Sequence, residues 1–293
     1  MSSTDFVSII LVNFNGEDVL VDCLNSLEKF IPNECCEIIL VDNNSQDNSV
    51  DLIESKFPRI KLIKLPKNIG FGAGNNVGAR EAKGNFLFLL NTDTIITSNF
   101  LPHLLGLMSE NLDVGVIGTK LVFPDGRFQI SFSPEIGISG ETKSKELHKK
   151  SQDDNKLYLI EQDYRNVKYV DIVVGASFFI RTDLFNYLGG FDERFFMYFE
   201  ESDLCQRVRN SGYKILYTPH ESIIHLRGHS VKKISNKMSL EYRKSQIYYY
   251  HKHRPMLEIL LLKIYLLFKL SWEYIKTFNL YSFEIIKLIF TYK

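Results

Sequence analysis

The chain has 293 residues, 45% of them hydrophobic, enough to bury one large core or one domain with an appendage. Lys plus Arg and Asp plus Glu both number 35, so the formal charge is zero and the composition gives no support for nucleic-acid binding. The four cysteines, Cys23, Cys35, Cys36 and Cys205, form no CxxC pair, which argues against a disulfide framework and a zinc site.

The opening MSSTDFVSIILVNF lacks a basic leader and confines its apolar run to Val7–Val12, so a strand is expected rather than a signal peptide, and a cytoplasmic location follows. Strand-like and helix-like patterns then alternate up to about Thr97. Strands are predicted at Phe6–Phe14, Glu37–Val41, Ile60–Leu65 and Phe86–Leu90. Helices are predicted at Glu17–Phe30, Asn48–Lys56 and Gly74–Ala82. This βαβαβαβ order implies an α/β fold with parallel strands and right-handed crossovers. Polar, Lys- and Asp-rich Pro134–Val167 reads as a long surface loop or flap. Strand character returns at Tyr169–Arg181, a helix is predicted at Glu200–Asn210, and short strands at Lys214–Tyr217 and Ile223–Leu226.

The strand ends carry the chemistry. The apolar run Phe86–Leu90 stops at Asn91-Thr92-Asp93, which places Asp93 at the carboxyl edge of the sheet, where open α/β folds bind ligands. Asp93 is either an oxygen ligand for Mg²⁺ or Mn²⁺ or a cap on a following helix. The first, second and third strands lead to Asn13-Phe14-Asn15-Gly16, Asp42-Asn43-Asn44-Ser45 and Asn68-Ile69-Gly70-Phe71-Gly72, polar and small residues suited to a nucleotide. The segment GFGAGNNVG, Gly70 to Gly78, lacks the GxGxxG spacing and follows the wrong strand for a dinucleotide fold. Glu200, Glu201 and Asp203 cluster at a helix start behind Phe195-Phe196-Met197-Tyr198-Phe199. They either complement the helix dipole or supply a partly desolvated general base. His225 is either structural or a second metal ligand beside Asp93.

Taken in order, VSIILVNFNG, IILVDNNSQD, NIGFGAGNNVGAREAKG, FLFLLNTDT, VVGASFFIRTDLFNYLGGFDERFFMYFEESDLCQRV and GYKILYTPHESIIHLRGHS resemble glycosyltransferase family 2, in its rhamnosyltransferase-like branch. The resemblance spans about Val7 to Ser230. It implies a GT-A fold, a Rossmann-like mixed central sheet flanked by helices, with an inverting mechanism and a divalent metal. Residues 1–230 would form the GT-A domain, with a nucleotide-sugar half at 1–97 and an acceptor and catalytic half at 98–230. By this resemblance Asp42 would read the base, with Asn13 and Asn44 nearby, while Asn68 and Asn76 would line the donor pocket. Asn91-Thr92-Asp93 matches the DxD-like motif with an amide in first place, leaving Asp93 as the firm ligand and Asn91 as a weak or water-mediated one. Glu201 matches the second acid of the Glu-Asp motif, the usual base, with Asp203 and Glu200 as alternatives. His225 matches a late metal-binding histidine, and Gly175-Ala176 a segment bordering the acceptor. The implied partners are a dTDP- or UDP-sugar donor and a saccharide or lipid-linked acceptor in cell-surface polysaccharide synthesis. A nucleotidyltransferase or a non-catalytic nucleotide-sugar scaffold are the rival classes.

Residues 231–293 form a basic segment and an amphipathic helical tail. Between His225 and Arg254 eight Lys/Arg (Arg227, Lys232, Lys233, Lys237, Arg243, Lys244, Lys252, Arg254) face one acid, Glu241. Leu257–Leu270 is apolar apart from Glu258, Lys263 and Lys269, and is shorter than the roughly 20 residues a bilayer span needs. Peripheral contact with the cytoplasmic face of the plasma membrane, closure of the core and a dimer interface all fit this pattern.

Overall fold

Uncharged runs of Val, Ile, Leu and Phe need cover on both faces, and the computed structural model buries them in one mixed sheet. It describes residues 6–32, 34–226, 236–277 and 280–291. Strands β1 (Val7–Asn13), β2 (Cys36–Asp42), β3 (Lys61–Lys64) and β4 (Phe86–Asn91) run parallel, as the alternating pattern requires. Helices α1 (Glu17–Phe30), α2 (Ser49–Lys56) and α3 (Phe71–Arg80) make the crossovers. Register places Asn13 beside Asp42 and Val12 beside Asn91, so three polar strand ends emerge at one edge. Helix α3 starts at Phe71 rather than Gly74, because Gly70 turns the chain at φ +93°. A side chain there would collide with the Phe196 carbonyl oxygen, 2.2 Å from where its Cβ would sit.

Strand β5 (Thr94–Ile96) follows Asp93 directly, so no helix begins there and Asp93 caps none. Next come α4 (Leu101–Glu110), β6 (Val114–Val122), β7 (Phe128–Gln129) and β8 (Phe132–Ser133). The expected loop at Pro134–Val167 is instead largely helical, as α5 (Ile138–Lys150) and α6 (Asp154–Asp163). Their sequences hid this because only Gly140 and Leu157 are buried, so no apolar stripe marks them. Glu146–Lys150 and Glu141–Lys145 pairs at i,i+4 support α5 instead.

The Tyr169–Arg181 segment resolves into β9 (Lys168–Tyr169), β10 (Ile172–Val173) and β11 (Ser177–Arg181). After α7 (Thr182–Tyr187) and α8 (Glu200–Asn210), one strand, β12 (Lys214–His225), replaces the two short strands expected. Its register slips between Thr218 and Ser222, across Pro219, which cannot donate to the ladder and disguised the strand's continuity. The sheet order is β3-β2-β1-β4-β11-β6-β12-β5, with β11 antiparallel to both neighbours.

Helices α9 (Asn236–His253), α10 (Met256–Thr277) and α11 (Leu280–Thr291) complete the chain. The boundary expected at 230 and the basic residues Arg227, Lys232 and Lys233 lie outside the described residues. Helix α9 packs directly on the segment before α8: Phe195 and Phe199 share a buried cluster with Ile247, Tyr248, Tyr249 and Tyr250. Its charged residues lock the same contact. Lys252 Nζ lies 2.7 Å from Asp192 Oδ2 and 2.6 Å from Asp203 Oδ1, and His253 Nε2 lies 2.6 Å from that Asp203 oxygen. Lys252→Met should cost about 2 kcal/mol in urea unfolding, the value of a charged hydrogen bond to a buried carboxylate.

Candidate active site

The first two strand ends form one hydrogen-bonded unit. Asn13 Nδ2 donates to Asp42 Oδ1 at 3.0 Å, and the Ser45 backbone N–H donates to Asp42 Oδ2 at 3.0 Å. Both side chains are buried, which fixes the Asp42 carboxylate at the rim. Asn44 turns the chain with a left-handed φ of 67°, the conformation Asn tolerates best after glycine. Asn13 Oδ1 is buried with no hydrogen-bond partner among the described residues. Gly16 leaves room above it, since a Cβ there would stand 2.4 Å from that oxygen.

Asp93 and His225 converge because β5 and β12 pair antiparallel, setting Thr94 opposite His225. The Leu226 N–H donates to the Asp93 carbonyl at 2.9 Å, and His225 Nε2 lies 3.3 Å from Asp93 Oδ1. Gln129 Oε1 lies 2.6 Å from His225 Nδ1, so in the tautomer with Nδ1 protonated the Nε2 lone pair faces the carboxylate. A shared proton or a divalent cation relieves that meeting of two electron-pair donors. The donor set, one carboxylate and one imidazole, therefore fits Mg²⁺ or Mn²⁺ that takes its remaining ligands from phosphate oxygens and water. Among the described residues no cluster of three or more His, Cys, Asp or Glu is assembled for a metal. The Asn91 N–H donates to the Ala176 carbonyl at 3.2 Å, which brings the NTD turn beside Gly175-Ala176.

Glu200 and Glu201 open α8 next to that segment. A Cβ on Gly175 would lie 4.0 Å from the Glu201 Cβ and 3.3 Å from the Phe71 ring. Tyr198 and Phe199, just before α8, both have φ near 67°, a left-handed pair costly for aromatic residues. Burial pushes the Glu200 carboxyl well above the usual carboxylate range, and the adjacent Glu201 charge pushes it further. Burial raises Glu201 as well, against backbone hydrogen bonds that favour its ionised form. The Oε2 atoms of both are buried with no hydrogen-bond partner among the described residues. Asp203 is in a different setting. Burial would raise it, but the His253 hydrogen bond and the Arg207 and Lys252 charges outweigh this and hold it low. It accepts from Arg207 Nε at 2.8 Å and faces α9 as part of the brace.

Two expected donor-pocket residues are tied up structurally. Asn76 donates to the Phe191 carbonyl at 2.9 Å and accepts from the Phe191 N–H at 2.8 Å, pinning the 191–199 segment to α3. Asn68 Oδ1 accepts from the Gly70 N–H at 2.9 Å, closing the turn before α3. Three contributors were missed from sequence: Gln129 behind His225, and Lys252 and His253 behind Asp203. Gln129 sits in a two-residue strand without a motif, and the others lie in a segment read only for its charge.

With this geometry, the chain belongs to glycosyl transferase family 2, whose profile matches residues 8–187. It is 24% identical over 240 residues to the N-acetylglucosaminyl-diphospho-decaprenol L-rhamnosyltransferase of Mycobacterium tuberculosis, covering 78% of each chain. It is 28% identical over 225 residues to the O-antigen biosynthesis protein RfbC of Myxococcus xanthus, covering 76% of this chain but spanning only 17% of that protein. Among solved structures, the mannosyltransferase PcManGT from Pyrobaculum calidifontis, in complex with GDP-Man and Mn²⁺, aligns with a TM-score of 0.59 at 14% identity. That alignment covers 86% of this chain and 64% of the other, and it establishes the shared GT-A fold.

The buried carboxyl pair makes a stability prediction. A carboxyl whose folded pKa is raised weakens the fold as pH climbs from its unfolded pKa towards the folded one. Glu200→Gln should therefore raise the melting temperature at pH ~8 and leave it nearly unchanged at pH ~4, measured by differential scanning calorimetry.

Proposed function

We propose that the chain is an inverting, metal-dependent glycosyltransferase that moves rhamnose or another hexose from a dTDP- or UDP-sugar to a hydroxyl of a lipid-linked or growing saccharide. The observation that carries this reading is the pairing of the Asp93–His225 contact with the buried Glu200-Glu201 pair, linked through Asn91, Gly175 and Ala176. The lipid-linked acceptor is supported by the name of the mycobacterial relative, and cell-surface glycan synthesis also by that of the Myxococcus protein.

Asp42 and Asn13, with Asn44, would hold the base and ribose at the β1–β2 edge. Asn68 and Asn76 would act on the donor side by shaping the loop before α3 and the 191–199 segment. Asp93 and His225 would hold Mg²⁺ or Mn²⁺, with Asn91 through water. When bound, that ion supplies positive charge against the diphosphate as it departs. Gly175-Ala176 would border the acceptor. Glu201 would accept the proton of the acceptor hydroxyl while its oxygen attacks the anomeric carbon from the face opposite the diphosphate. The new C–O bond forms as the bond to diphosphate breaks, so one displacement inverts the configuration. Glu200, still more deeply buried, would stay protonated beside it, so the pair would carry its single negative charge on Glu201, whose basicity comes from its own burial. The C-terminal helices would supply peripheral contact with the cytoplasmic face of the membrane.

Glu201→Gln should lower donor turnover about 10³-fold, within the range for losing a positioned base, and leave nucleoside diphosphate binding intact. Asp203→Asn should chiefly reduce thermal stability. Release of UDP or dTDP from a donor panel, together with melting curves, checks both. Normal turnover by Glu201→Gln with loss confined to a folded Asp203→Asn would transfer the base to Asp203. The wild-type pH profile should rise through a pKa above the ordinary glutamate range.

A further inference from the structure

Helix α10 has two apolar faces. At about 100° per residue, Ile259, Leu262, Leu266 and Leu270 share one side, and they are buried in the cluster with α9 and α11. Leu257, Leu261, Ile264, Phe268, Trp272 and Ile275 share the opposite side, within an arc of about 80°. All six are exposed, Phe268 at 76% and Trp272 at 63%, and Phe283 and Phe290 of α11 are exposed as well. One side of the helix thus closes the core, while the other is the kind of continuous apolar strip that marks an interaction surface.

The border of the strip identifies the partner. Moving round the helix, the Leu, Ile and Phe centre gives way to Tyr265 and Trp272, and then, about 100–120° from Leu257, to Lys269 and Lys276, with the acid at the same angle, Glu258, engaged by the Ile138 N–H of α5. Lys276 Nζ sits 4.8 Å from the Trp272 ring centroid. From the neighbouring helix α5, Lys145 Nζ sits 5.1 Å from the Tyr265 ring centroid. Helix α5 is tied to the start of α10 by the Ile138 N–H, which donates to Glu258 Oε2 at 3.1 Å, and it also exposes Lys143, Lys149 and Lys150. Hydrocarbon, then amphipathic aromatic, then cation is the layering of a helix lying in the interface of an anionic bilayer. An interface with another protein copy selects against lysine instead. Among the described residues no helix is long and apolar enough to cross a membrane.

We propose that α10 and α11 lie in the plane of an anionic lipid leaflet, with Leu261, Phe268 and Trp272 at the acyl boundary and the lysines of α5 and α10 at the headgroups. This assigns residues to the membrane contact proposed above, and its test needs no turnover. The full chain should sediment with vesicles of phosphatidylcholine plus phosphatidylglycerol, and less with phosphatidylcholine alone. Phe268→Glu combined with Trp272→Glu should cut the vesicle affinity at least about tenfold with an unchanged melting temperature. Lys269→Glu with Lys276→Glu should remove the preference for phosphatidylglycerol. If the paired Glu variant melts early, Leu261→Glu on the same face is measured in its place. Vesicle binding by the folded apolar-face variants equal to wild type would overturn the proposal. So would a wild-type chain that ignores both vesicles, or a dimer in sedimentation velocity that these variants dissolve.

Discussion

The candidate base depends on a left-handed aromatic turn that the chain could not hold unaided. Tyr198 and Phe199 both have a left-handed φ of 67° immediately before α8, at a cost of order 1–2 kcal/mol each. Helix α9 offsets that cost. Ser245 Oγ donates to the Met197 carbonyl at 2.8 Å, Phe195 and Phe199 pack among the α9 tyrosines, and Lys252 bridges Asp192 and Asp203. Once the turn is fixed, Glu200 and Glu201 must start α8 beside Gly175. The helix dipole favours their charge there while burial opposes it, and burial wins. Asp203, two residues further on, carries the stabilising contacts that Glu201 lacks. On the proposed mechanism this would leave one carboxyl free to act as base and another structural within a single helical turn.

The proposed donor side is built from strand ends rather than from a single motif. Parallel pairing of β1, β2 and β4 aligns Asn13, Asp42 and Asn91 along the carboxyl edge, and the antiparallel return of β12 on β5 adds His225 to Asp93. Inserting β11 between β4 and β6 brings Gly175-Ala176 to the same edge. The two halves of the chain therefore meet where the sheet changes direction, and each supplies groups the other does not have. The tail belongs to this arrangement through α9, while α10 covers α9 with one face and leaves the other outward.

Much of this was legible in the residues. Short charge-free runs such as Phe86–Leu90, bounded by polar residues, read as central strands, and their alternation with helical patterns gave the parallel half and its polar edge. The ordered motifs added the family and, through it, the pairing of Asp93 with His225, residues far apart in sequence. Helices α5 and α6 were not legible because they bury almost nothing, and helical periodicity shows only where one face must leave water. The continuity of β12 was masked by Pro219. Asn76 was assigned to the donor pocket through the family resemblance alone, and the contacts its amide makes to the Phe191 backbone were not legible in the sequence. The brace was invisible for a related reason: Lys252 and His253 read as part of a basic stretch, and only the fold shows that they meet buried carboxylates.

The proposed metal site rests most directly on Asp93. Isothermal titration calorimetry of the full chain with UDP and dTDP, with and without Mn²⁺, measures whether this edge holds a nucleoside diphosphate through a metal. We predict binding that strengthens at least about tenfold with Mn²⁺ in the wild type and loses that gain in a folded Asp93→Ala variant. Equal Mn²⁺ enhancement in wild type and variant, or no binding of either nucleotide, would contradict the account.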